Sequence, residues 1–123
     1  MTKAEQAIAL HAAGQNCAQA VLGAFCESYQ LSPEEASRLS AFFGGGMRIG
    51  STCGAATGAL MVLGLQFGGE NNRQCTASRE FLQAFTHTFG TLNCRELLRQ
   101  HPKSEICPAV IQFAAQYLEE HCK

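Results

Sequence analysis

Cysteine is the residue type in this chain best suited to chemistry. Four of its seven cysteines, Cys17, Cys53, Cys94 and Cys107, each stand where a helix is expected to begin, far apart in sequence. A helix start presents unpaired N–H groups and the positive end of the helix dipole. Both favour thiolate, the form that attacks disulfides and ligates metals. The placement predicts one thiol site assembled by the fold, working by thiol–disulfide or electron-transfer chemistry. The alternative is a metal or iron–sulfur cluster binding module held by the same four cysteines, the usual ligand number for a cluster or for tetrahedral zinc.

Residues three and four positions on place these cysteines on apolar faces. Cys17 is followed by Ala20 and Val21, Cys94 by Leu97 and Leu98, and Cys107 by Val110 and Ile111. Cys26 falls on the opposite side of the helix that begins at Cys17, so it is expected to be a small core or surface residue. Cys75 and Cys122 receive no role. Any single cysteine is more often a small buried hydrophobe than a reactive group, but four at helix starts on apolar faces are harder to attribute to packing. No C-x-x-C occurs, which argues against a thioredoxin-type dithiol and against a zinc ribbon. His11, His87, His101 and His121 lie near helix ends or among polar residues, where a solvated imidazole is the commoner case, and they are left out of the site. In the thiol reading Cys53 is the attacking thiolate and Cys94 or Cys107 resolves the mixed disulfide.

The elements that must position these thiols are helical. Apolar residues recur with a helical period and no stretch alternates as a half-buried strand does, which predicts an all-α single domain over 1–123, a bundle of about six helices. A first helix over 3–13 is closed by Gly14, and Asn16 caps a second running from 17 to about 29. Ser32-Pro33-Glu34-Glu35 supplies a cap, a first-turn proline and a capping-box glutamate for a third helix ending near 43. The glycine-rich 44–52 segment is a loop able to approach what it faces, and Thr52 caps a buried Gly/Ala-rich central helix over 53–67. A fifth helix over 71–89 stacks Phe81, Phe85 and Phe89 one turn apart as packing. Asn93 starts a short helix at Cys94, and Pro108 starts the last helix just after Cys107.

The bulk properties bound the function. With 123 residues, 46% of them hydrophobic, there is material for one core and hardly more. A net charge of −1 and scattered Lys and Arg give no footprint for nucleic acid or an anionic membrane. All ten acidic residues are Glu, so Asp-based cation loops and Asp-containing triads are missing. The uncharged 49–69 stretch is long enough to span a bilayer, but its six glycines and polar Ser51, Thr52, Thr57 and Gln66 read as a loop entering a core helix. Without a secretory h-region, and with an odd cysteine count, the expected location is cytoplasmic with reduced thiols.

The segment from Gly50 to Ala59 contains Cys53-Gly54-Ala55 followed by Gly58, a C-G-A-x-x-G motif, with Cys17 upstream and Cys94 and Cys107 downstream. With that cysteine order the chain resembles the bacterial C_GCAxxG_C_C family of redox-active proteins over nearly its whole length. The resemblance implies a small helical domain whose centre is Cys17, Cys53, Cys94 and Cys107, working with a redox partner protein. It also implies an iron–sulfur cluster as a candidate cofactor, since a similar pattern in a cytochrome fused to such a domain accompanies an iron–sulfur centre. Gly54 and Gly58, one turn apart, leave a smooth face for a cofactor or for a second helix, and the Gly-rich face is compatible with a homodimer.

Overall fold

The computed structural model describes residues 1–69 and 71–122, the side chains of 71–75 excepted. Among the described residues the chain is all-α, with seven α-helices and no strand. They are α1 (Lys3–Ala12), α2 (Cys17–Phe25), α3 (Pro33–Ser40), α4 (Gly54–Phe67), α5 (Asn71–Phe89), α6 (Cys94–Gln100) and α7 (Lys103–His121). No described helix is long and apolar enough to cross a membrane.

Local chemistry sets most of the boundaries. Thr2, Asn16 and Ser32 each cap a helix through a reciprocal capping box, with Glu5, Gln19 and Glu35 respectively returning the bond. Asn93 accepts from the Glu96 N–H to start α6. Two helices are shorter than their apolar pattern suggested. α2 tightens into a 3-10 turn over Cys26–Tyr29 that closes on Gln30 in the left-handed region, and α3 ends at Ser40, leaving Phe42 exposed.

The last helix departs further from expectation. It begins at Lys103 rather than after Cys107, so Cys107 lies in the second turn and Pro108 is inside the helix. Ring closure at Pro108 removes one N–H, and the carbonyl that loses its donor is that of Ser104, an exposed residue. Cys107 therefore gains no helix-start N–H donors.

One hydrophobic cluster runs through the bundle, with α2 and α4 side by side at its centre and α1 and α7 packed on them. Ala55, Ala56, Ala59 and Val62 of α4 are fully buried, while Leu65 on the far face is 43% exposed, so α4 is covered on most sides but not all. The phenylalanine stripe packs as expected: Phe81, Phe85 and Phe89 join Phe113 and Tyr117 of α7 in one aromatic cluster.

A candidate thiol site

The site is built where the starts of α2, α4 and α6 meet the second turn of α7. Cys17, Cys53, Cys94 and Cys107 line one cavity of about 130 Å³. Cys17 is the first residue of α2 and Cys94 the first of α6, whereas Cys53 is the cap residue of α4, one position earlier than expected.

Two of the thiols are tied by backbone. Thr52 and Asn93 form an isolated antiparallel bridge. Its two bonds run from the Cys53 N–H to the Leu92 carbonyl, 2.7 Å, and from the Cys94 N–H to the Ser51 carbonyl, 2.6 Å. The bridge that was not foreseen thus fixes Cys53 beside Cys94, and Thr52, expected as a helix cap, is its central residue. The 44–52 loop presses on the same place. Gly45, Gly46, Met47 and Arg48 all hold positive φ, and a Cβ on Gly46 would lie 2.7 Å from the Cys94 Cβ. Arg95 donates to the Ile49 carbonyl at 3.0 Å and holds the loop down.

The other two thiols act on each other's protonation: Cys17 and Cys107 line the same cavity, and sharing a proton favours Cys107 as thiolate and Cys17 as thiol. The Cys17 proton, assisted by Lys103 and opposed by partial burial, lowers the Cys107 thiol from the usual cysteine range to about 7. Cys17 moves far up for the complementary reason: it keeps its proton to donate, and it is deeply buried among other thiols. Of the two, Cys107 is the one favoured as thiolate, because it is the less buried and has Lys103 one helical turn away.

Cys53 reverses the expectation drawn from its helix start. Burial pushes its thiol up to about 11, although backbone N–H groups of Ala55 and Ala56 pull the other way. The helix-start donors act as anticipated; desolvation outweighs them. Burial also raises Cys94, with the charge of Cys107 adding and Lys103 and Arg95 opposing.

The glycines divide. Gly54 borders the cavity, where an added Cβ would meet the Cys17 Cβ at 3.1 Å. Gly58, a candidate for cofactor contact, instead abuts α2: a Cβ there would lie 2.9 Å from the Ala18 carbonyl oxygen. Its role is to let α2 and α4 approach.

Of the cysteines set aside, Cys26 is fully buried and donates to the Gly23 carbonyl, and Cys122 is half-buried beside Tyr29. The side chain of Cys75 lies outside the described residues. Sequence reasoning left His11 out of the site and missed Lys103, both of which line the cavity. Lys103 precedes Cys107 by one helical turn, a signal hidden by starting the last helix at Pro108.

Four thiols suit an iron–sulfur cluster or tetrahedral zinc in donor type. Their placement does not: among the described residues no three His, Cys, Asp or Glu side chains are set to hold a metal ion. As they stand they form two pairs, Cys17 with Cys107, which bias each other's protonation, and Cys53 with Cys94, which the backbone bridge holds side by side.

A family model described as "Putative redox-active protein (C_GCAxxG_C_C)" matches residues 15–121. The chain belongs to this family. The match takes in all four cavity cysteines of the C_GCAxxG_C_C pattern and leaves out the whole of α1. No curated protein and no solved structure matches.

Proposed function

We propose that this protein is a dithiol–disulfide redox protein whose working couple is Cys107 with Cys17. What supports this reading is that Cys17 and Cys107 line one cavity and bias each other's protonation, which favours one as thiolate near neutrality and keeps the other protonated. The attacking role thus passes from Cys53, the residue favoured by sequence, to Cys107. The Cys107 thiolate attacks a disulfide, one sulfur leaves as thiolate, and a mixed disulfide forms. Cys17 then loses its proton, attacks the Cys107 sulfur and releases the second thiolate, leaving a Cys17–Cys107 disulfide. Cys53 and Cys94 are a second dithiol in the same cavity.

The test is peptide mapping of protein equilibrated in glutathione buffers of increasing oxidation, with iron, zinc and acid-labile sulfide assayed on the same anaerobic preparation. A Cys17–Cys107 disulfide forming first, in metal-free protein, is the expected result. Stoichiometric iron and sulfide lost on Cys53→Ser would overturn the dithiol reading in favour of a cluster-binding module.

A further inference from the structure

Lys103 is the cation that lines the cavity above the thiols; His11 lines it too but is held toward its neutral form by burial and by Lys103, and no Asp or Glu lines it among the described residues. Lys103 lies within electrostatic reach of Cys94, Cys107 and His11 alike. The nearby carboxylates are occupied or turned elsewhere: Glu96 is held by Arg99 at 3.0 Å, and Glu105 borders a different depression with His101. Arg95, the other cation near Cys94, is committed to the Ile49 carbonyl. Leu97, Ile106 and Val110 make the walls apolar. A volume of about 130 Å³ admits the end of a small molecule.

We propose that this cavity takes small disulfides with negatively charged arms, selected by Lys103 at its mouth. The inference rests on the dithiol reading and adds the substrate class. One arm enters over the apolar wall while its anionic group stays near the Lys103 ammonium. The Cys107 thiolate attacks the nearer sulfur, and the distal half leaves as a thiolate. Cys17, giving its proton to solvent, then displaces the retained half. Two protein thiols become one disulfide, and the substrate disulfide becomes two small thiols.

The test uses three disulfides of similar size: dithiodiglycolate, with two carboxylates; 2-hydroxyethyl disulfide, neutral; and cystamine, with two ammonium groups. The rate of Cys107 loss in the full chain is read by mass spectrometry and divided by each reagent's rate with dithiothreitol. An order anionic, neutral, cationic is expected, with about a five-fold step for a single exposed lysine. It should flatten in K103Q, reverse in K103E, and shrink as salt rises. Equal corrected rates, or an order unchanged in K103E, would overturn this proposal while leaving the dithiol couple standing. Failure of Cys107 to react with any of the three would overturn the dithiol reading and this proposal together. Lys103 is exposed in the first turn of α7, and K103Q is expected to fold.

Discussion

Cys17, the first residue of α2, and Cys107, in the second turn of α7, line the same cavity and shift each other's protonation in opposite directions, Cys107 down and Cys17 up. A bias of this kind makes two chemically identical side chains unequal: in the proposed chemistry one is the nucleophile and the other its resolving partner. The inequality is what gives the site a direction of reaction, and it can be measured one thiol at a time.

The pH profile should separate the cysteines. With its folded-state value lowered to about 7, Cys107 gains thiolate as pH rises through neutrality and loses it below. Cys53, pushed up to about 11, remains protonated across that range. Alkylation by iodoacetamide, followed residue by residue, should show one fast site with a midpoint near pH 7, abolished in Cys107→Ser. A fast site at Cys53 instead would contradict the ordering.

Removing the donor should slow the nucleophile. In Cys17→Ala the Cys107 value climbs toward the ordinary range, and the thiolate fraction at pH 7 drops from about half to about one per cent. Greater basicity restores about six- to ten-fold in intrinsic nucleophilicity, so the net fall in rate is about five- to eight-fold. Cys17→Ser, which keeps an O–H donor, should fall less. A Cys17→Ala rate equal to wild type would show that the thiol pair is only a packing contact.

Two glycines of the central helix should respond in opposite directions to the same substitution. Gly64 is exposed with nothing within 4 Å of an added Cβ, so Gly64→Ala should stabilise by about 0.5–1 kcal/mol. At Gly58 the new methyl would stand 2.9 Å from the Ala18 carbonyl oxygen, which is backbone and cannot swing away. Overpacking there should cost about 1–3 kcal/mol and outweigh the helix-propensity gain. Thermal melts of the two variants give the sign directly.

Gly46 links loop strain to thiol exposure. Its φ of +65° and the 2.7 Å approach of an added Cβ to Cys94 leave no room for alanine. Gly46→Ala should lift the 44–52 loop from α6, destabilise by about 1–3 kcal/mol, and raise the alkylation rate of Cys94 relative to Cys107. A destabilised variant with unchanged Cys94 reactivity would mean that the loop does not shield that thiol.

Much of this arrangement was legible in the residue pattern, and what was missed has physical causes. Caps announce helices locally, so Asn16, Ser32 and Asn93 were read correctly, and the spacing of Phe81, Phe85 and Phe89 shows their shared face. Pro108 misled because proline favours a first turn but is also tolerated deeper when the stranded carbonyl faces water. The sign at Cys53 was hidden because burial is a long-range property: α2, α6 and α7 take solvent away from a sulfur whose own neighbours in sequence favour ionisation. The Thr52–Asn93 bridge, between residues distant in sequence, leaves no periodic signature.

Cys17 and Cys107 lie about ninety residues apart and belong to helices near opposite ends of the chain. Joining them closes most of the polypeptide into a ring, and a ring of that size restricts the unfolded ensemble by about 4–5 kcal/mol in the chain-entropy account. The electron pair held by these sulfurs is therefore coupled to thermal endurance. The oxidised molecule should melt well above the reduced one, and a reductant should act as a denaturant sensitiser with no change in the native contacts. In a cell, turnover by proteases that capture opened chains would then follow the redox state of one sulfur pair.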